Sequence, residues 1–465
     1  MTRREPLRLE AFDALRAEEE PWLLECFVPP PRFDEMLAAR STIITGDIGS
    51  GKTAVLRALK AASRAQYLVA DWEFRAPGPP FDRQVLQAIG WALLEWAAAD
   101  RDRYGNISAW ARRGVHWLIR KALIQGEIVM QTYLRAERMG ADALAIIERI
   151  AGEEPVQLAM GDVPISQTLA MAVNILEGIG LSGAWIFCDR IEPQWLAAES
   201  DAERLLVDLL STLPTLDVEK IVYKLAVPAD LWHAIGATEG IRRLRAWIVP
   251  IEWPLQEQTQ QTESEESPSG GKEEDAAKPP KEDPLRELAE RRLGLALGTE
   301  RVPLSRLCKA PEFQDWLYRV GGAVPREWLS ALHPVVSAFL RQAEVEEDGL
   351  PPPLSAAAWE QIARRYRPFV MVLEREQAIQ VGGRIVRDLS PNEWTILQIL
   401  HGHRGQIVSR ETLYEALFPN DAGSQDRGAL DTALWRLRNA VEPLPKYPQI
   451  IVSARGKGIR FLPER

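Results

Sequence analysis

The sequence predicts an α/β domain built on a parallel sheet, followed by a small α+β domain that ends in a hairpin. It does so on three features. Short apolar or β-branched runs alternate with helical patterns between residues 41 and 251, as in a parallel sheet covered on both faces. A glycine-rich loop, Gly46-Asp47-Ile48-Gly49-Ser50-Gly51-Lys52-Thr53, joins the first such run to the first helical pattern. Residues 375–465 read as a strand pair, three helices and a hairpin, in that order.

With 465 residues, 46% of them apolar and 26% charged, the chain has room for several cores. No basic-then-apolar leader opens it, and no run of about 18 apolar residues occurs, so a membrane is not an expected partner. Cys26, Cys188 and Cys308 are too scattered for a metal spacing or a disulfide framework, which fits a reducing cytoplasm. The net charge of −10 argues against indiscriminate coating of nucleic acid.

Taken in order, Ser41–Thr45 is the first strand and Thr53–Ala62 the first helix, with Val55, Leu56 and Leu59 on one side. Gln66–Ala70 with Glu73–Phe74 supplies a second strand, and about 81–180 is helical. Ala184–Cys188, Ile221–Val227 and Arg245–Ile251 are three further buried-strand runs. Residues 256–283 hold nine acidic and three basic residues and almost no apolar ones, and read as a disordered linker. Helical pattern resumes over 284–350, and Pro351-Pro352-Pro353 marks a turn. The expected domains are therefore 1–255, carrying the insertion at 81–180, then the linker, the helical segment 284–350, and 375–465.

The loop has the spacing G-x-x-x-x-G-K-[ST]. Its glycines let backbone N–H groups turn toward phosphate oxygens, Lys52 adds a point charge, and the Thr53 hydroxyl is placed for magnesium. The following helix presents its positive end to the same place. This predicts binding of a nucleoside triphosphate, ATP before GTP because no Asn-Lys-x-Asp occurs. Asp189 ends an apolar strand and, at the carboxyl edge of a parallel sheet, can hold magnesium through water; the alternative is a cap for the next helix. Glu192 is the candidate to polarise an attacking water.

The loop and Asp189-x-x-Glu192 resemble the STAND branch of the AAA+-like ATPases, over roughly residues 20–345. The resemblance implies a P-loop NTPase core with a helical lid and a nucleotide-dependent switch. Gly321-Gly-Ala-Val-Pro325-Arg326 is similar to the family's glycine–proline turn, which makes Arg326 either a γ-phosphate contact or a surface arginine. No polar sensor ends the strand Ile221–Val227, and Lys224 is the nearest candidate.

In the C-terminal unit, helices are expected at Pro391–Gly402, Arg410–Leu417 with Ser409 as N-cap, and Arg427–Val441, before a hairpin Gln449–Ser453 and Gly458–Leu462. Together they make a winged helix-turn-helix. Leu430, Leu434, Leu437 and Val441 form the buried stripe of the third helix. The outward face then carries Thr432, Trp435, Arg436 and Asn439, with Arg427 and Arg438 flanking. Such residue types read or grip DNA, and Trp435 either stacks on sugar or base or packs under the wing. Arg455 and Lys457 stand at the hairpin tip, suited to a minor groove. Residues 375–465 hold 13 Lys+Arg against 10 Asp+Glu, about +3 in a chain of −10. Leu389–Leu400, Gly405–Leu413, Leu434–Arg438 and Ser453–Phe461 together look like the OmpR/PhoB-type DNA-binding domain. That resemblance implies a third helix in the major groove, with Arg436 and Arg438 reading it, and Arg455 in the minor groove.

The expected function is a cytoplasmic, ATP-binding and DNA-binding transcriptional regulator using magnesium, with any ATP hydrolysis slow and switch-like. Expected partners are double-stranded DNA, further copies of the chain, and RNA polymerase or a signalling protein. The alternatives are a DNA-associated ATPase of defence or motor type, and a scaffold with structural nucleotide.

Overall fold

The computed structural model describes residues 9–13, 20–74, 79–124, 129–153, 163–189, 191, 199–236, 238–254, 283–342, 345–346, 349–419 and 427–462. They form two compact units, residues 29–252 and the remainder on either side. The expected linker 256–283 lies, apart from Asp283, outside the described residues. Among the described residues no helix is long and apolar enough to cross a membrane.

The unit 29–252 is built on a five-stranded parallel sheet in the order β2-β3-β4-β1-β5. The strands are β1 (Thr42–Gly46), β2 (Leu68–Asp71), β3 (Ala184–Cys188), β4 (Ile221–Pro228) and β5 (Ile248–Pro250). Every residue of β1, β3 and β4 is buried, which is why these stretches are continuous apolar runs and do not alternate. β2 ends at Asp71, so Glu73–Phe74 adds no strand, and β5 is shorter than the run Arg245–Ile251 because a 3₁₀ stretch occupies Glu239–Trp247. Between β2 and β3 the described residues form the helices Phe81–Ala99, Arg101–Asn106, Ala109–Leu123, Val129–Met139, Ala141–Gly152 and Ile165–Gly178. They share one apolar core with the sheet. The Phe81–Ala99 and Ala109–Leu123 helices cross so closely at Gly90 that a Cβ there would lie 2.5 Å from that of Ala122.

Lys224 is fully buried on β4. Its Nζ donates to the carbonyls of Met36 (2.5 Å), Ala38 (2.9 Å) and Arg40 (2.9 Å) and to the Thr42 hydroxyl (3.2 Å). The ammonium also lies 4.6 Å from the centre of the Trp185 ring. This corrects the reading of Lys224 as a nucleotide sensor. A buried ammonium needs a full set of acceptors, and it finds them at the end of the Phe33–Leu37 helix. In register Lys224 pairs with Thr42, whereas the loop residue Gly46 pairs with Pro228.

The second unit opens with helices Pro284–Leu297, Pro311–Gly321, Pro325–Leu340 and Ala356–Arg365. Residues 9–28 belong here and not with the sheet, which corrects the boundary expected at residue 1. The cause is a buried ion pair between Arg292 and Glu20, with Arg292 Nη1 also donating to the Ala11 carbonyl at 3.0 Å. The C-terminal part has two antiparallel sheets. One joins β6 (Val370–Leu373), β7 (Ala378–Val381) and β8 (Arg384–Val386); the other joins β9 (Ile407–Val408), β10 (Ile451–Ala454) and β11 (Gly458–Phe461). Between them stand helices Pro391–Gly402, Arg410–Leu417 and Arg427–Val441. β6 begins before residue 375, so the unit is longer than the expected strand pair allowed. Ser390 and Glu393 form a reciprocal capping box, a signal the sequence carried as Ser-x-x-Glu.

Burial pushes the Lys224 pKa down to about 7 from its ordinary value of 10.5. Between these values the unfolded chain holds more protons on this lysine than the folded one, so its contribution to stability rises with pH. The expected slope is at most about 1.4 kcal/mol per pH unit. Urea midpoints of the parent and of Lys224→Met between pH 7 and 10 should show the parent gaining stability relative to the variant. A difference that stays flat with pH refutes the assignment.

Candidate functional site

The loop 46–53 begins on the last residue of β1 and ends in the first turn of the Lys52–Ser63 helix. Gly49 and Gly51 have φ of +85° and +98°, a region that side chains other than glycine rarely adopt. A Cβ on Gly46 would lie 2.6 Å from the Ser50 hydroxyl, so the loop can close only around glycine. Lys52 Nζ donates to the carbonyls of Gly46 (2.7 Å) and Asp47 (2.9 Å), which folds the ammonium back over its own loop. Asp47 and Ile48 are exposed at the loop's crest, Ser50 is buried, and Thr53 is half-buried in the first helical turn.

Asp189 directly follows β3 and is half-exposed. β4 lies between β3 and β1, so the two strand ends are about 10 Å apart on one carboxyl edge. Just inside, the buried Cys188 thiol is raised well above its ordinary pKa by burial and by the Asp189 charge. Among the described residues no three metal-ligating side chains converge. A magnesium ion between Thr53 and Asp189 would thus take most of its ligands from phosphate and water, its usual preference. Loop shape and donor set both fit a magnesium-bound polyphosphate. Glu192 lies outside the described residues. Arg326 stands in the first turn of Pro325–Leu340, half-buried beside Glu327, in the second unit.

On the third helix of the winged unit, Leu430, Leu434, Leu437 and Val441 are buried in the local core. Thr432, Trp435 and Arg436 are exposed, and Asn439 is half-buried. Trp435 keeps 65% of its surface, so it does not pack under the wing. Thr432 donates its hydroxyl to the Gly428 carbonyl (2.8 Å), one turn back. Arg427 opens the helix, and its side chain lies outside the described residues. Arg455 and Lys457 are exposed at the tip of the β10–β11 hairpin, on either side of Gly456 at φ +69°.

Arg438 behaves differently from its neighbour Arg436. Its Nε donates to the Ile451 carbonyl (2.9 Å) and its Nη2 to the Ser453 hydroxyl (2.7 Å), joining the helix to β10. Burial holds its pKa below the ordinary arginine value. Sequence reasoning also missed Glu442, a fully buried carboxylate that accepts N–H bonds from Gln449 (2.7 Å), Ile450 (3.0 Å) and Ile451 (2.6 Å). Burial raises its pKa even against these donors. Arg410, in the second helix, pairs with Asp431 in the third. No local signal marks these roles, because each partner comes from another element.

Residues 386–461 match the family model described as "Transcriptional regulatory protein, C terminal". The Escherichia coli K12 protein named "Transcriptional regulatory protein PhoP" is 30% identical over 95 residues, 20% of this chain and 40% of that protein. "Protein PetR" of Rhodobacter capsulatus is 30% identical over 101 residues, 21% of this chain and 42% of that one. The chain thus spans about two fifths of the length of these relatives. A solved structure titled as the Aeropyrum pernix ORC1 protein in complex with DNA aligns over 98% of this chain and 94% of its own, at 14% identity and a TM-score of 0.33. Residues 386–461 are thus similar to the C-terminal domain of transcriptional regulatory proteins, and residues 29–252 are an α/β unit on a five-stranded parallel sheet.

Removing Arg438 should strip two charge-assisted hydrogen bonds from the helix–wing joint. Arg438→Ala should lower unfolding stability by about 1–3 kcal/mol, while Arg436→Ala, on the exposed face, stays within about 0.5 kcal/mol. Denaturant melts of the two variants separate these roles; equal costs would contradict them.

Proposed function

We propose that this chain is an ATP-binding, DNA-binding transcriptional regulator in which the state of the nucleotide controls the winged helix. The observation that carries the reading is the joint presence of a glycine-locked phosphate loop and a winged helix of transcriptional-regulatory type. Backbone N–H groups of residues 46–51 and the Lys52 ammonium bind the phosphates, and Thr53 and Asp189 hold magnesium. When bound, magnesium neutralises charge on the outer phosphates. β4 ends in Val227-Pro228 and Lys224 is committed to carbonyls, so this strand offers no polar group to an attacking water. Hydrolysis is accordingly slow, and the protein works as a switch.

On the DNA side, the third helix enters the major groove with Thr432, Trp435, Arg436 and Asn439, and Arg427 at its start. Arg455 and Lys457 reach the minor groove or its phosphates. Arg438 acts through position, since its guanidinium is held by the wing. Duplex DNA is the partner, and paired copies would read two half-sites.

Affinity for duplex DNA is the deciding measurement, taken with ATP, with ADP and with Lys52→Ala. Affinity should differ between the nucleotide states, and Lys52→Ala should not respond to ATP. Equal affinity in all three ends the switch reading. Arg436→Ala should cost about 1–3 kcal/mol on preferred sequences and relax the preference at one position.

A further inference from the structure

Within the second unit, the recognition helix Arg427–Val441 does not end in solvent. Its last carbonyls are taken by two arginines from other elements. Arg319, in the Pro311–Gly321 helix, donates from Nη1 to the Asn439 carbonyl (2.9 Å) and the Glu442 carbonyl (3.5 Å). Arg384, on β8, donates from Nη2 to the Ala440 carbonyl (2.7 Å). Burial, with the like charge of Arg319 beside it, pushes the Arg384 pKa down to about 10. Two cations at a helix C-terminus satisfy its orphan carbonyls and complement its dipole.

The same two elements meet at backbone level. Gly383 N–H donates to the Val320 carbonyl at 2.8 Å. A Cβ on Gly322 would lie 2.2 Å from the Gly383 carbonyl oxygen, and one on Gly382 would lie 2.1 Å from that of Val320. Gly382 also has φ +56° and Gly322 φ +48°. No side chain fits between these two turns. A second attachment lies nearby: Gln449 donates to the Ala363 carbonyl (2.8 Å), and Arg364 stacks 3.3 Å from the centre of the Tyr447 ring.

We propose that Arg319 is a positioning residue for DNA reading: with the Gly321–Gly322 turn it makes the helices of residues 284–340 and the winged helix one rigid body. The inference deepens the nucleotide-switch reading and rests on it for its regulatory meaning. Arg326, the arginine of the glycine–proline turn singled out in the sequence, follows Gly322 by four positions. The turn that launches its helix is therefore the turn that grips the winged helix. Any movement of this helix then carries the recognition helix with it as a unit, without unfolding or releasing a tether.

Two readouts on the full chain test this. Nitroxide labels at Glu312→Cys and Glu415→Cys, both exposed where the native cysteines are buried, should give one narrow distance distribution that ATP does not change. A distribution that is broad, or that shifts on adding ATP, overturns the rigid body. Gly382→Val should broaden it. In DNA binding, the ratio of affinities with ATP and with ADP should fall toward one in Arg319→Ala and recover in part in Arg319→Lys. An Arg319→Ala variant that keeps the full ratio, losing affinity equally in both states, overturns the positioning role. If the parent itself shows no ratio, the nucleotide-control reading falls, and the label distances still decide whether the two parts move together.

Discussion

The ends of helices constrain this molecule more than their lengths do. A helix leaves about four N–H groups open at one end and four carbonyls at the other, and burying such an end without partners is costly. Three ends matter here. The Phe33–Leu37 helix runs into a region where the carbonyls of Met36, Ala38 and Arg40 converge on Lys224. The Lys52–Ser63 helix opens on a loop that Gly49 and Gly51 shape with positive φ. The Arg427–Val441 helix closes on Arg319 and Arg384. At the first and third ends, the groups that satisfy the carbonyls also join the helix to another element.

The first two ends share the sheet. Lys224 anchors the segment leading into β1, and β1 leads into the glycine-rich loop. A buried ammonium held by three carbonyls and a hydroxyl fixes that entry, so the loop starts from a defined place. The loop then owes its shape to Gly46, Gly49 and Gly51, for two reasons: steric closeness to Ser50 at the first, left-handed backbone at the other two. That division lets β1 stay regular up to Gly46 while residues 47–51 turn into the Lys52–Ser63 helix.

What the sequence made legible follows from how local the signal is. The loop motif, the buried runs of β1, β3 and β4, and the stripe Leu430–Leu434–Leu437–Val441 are each written within one element, and each was readable. Lys224 was misread because its acceptors stand 184 to 188 residues away along the chain. Arg438 reads as an outward arginine by helical period, yet its guanidinium turns to β10, 13 residues on. Residues 9–28 looked like the start of the sheet domain until Arg292 paired with Glu20 across 272 positions. Charged residues that end in cores or at helix ends are the blind spot of pattern reading, because their partners decide their roles.

The third end links architecture to regulation. A winged helix on a free tether can be exposed or hidden but not aimed, since the tether's many conformations average its orientation away. Here the winged helix is held by guanidinium groups at the end of the reading helix itself and by glycines that admit no side chain at the crossing. The contacts lie at the carboxyl end, away from Thr432 and Arg436, so the clamp leaves the exposed face unobstructed. Packed elements of this kind move as bodies because close-packed interfaces resist continuous deformation. Under the proposed regulation, a displacement of the Gly321–Gly322 turn would therefore reorient the Arg427–Val441 helix with it, and the orientation of that helix would be the quantity under control.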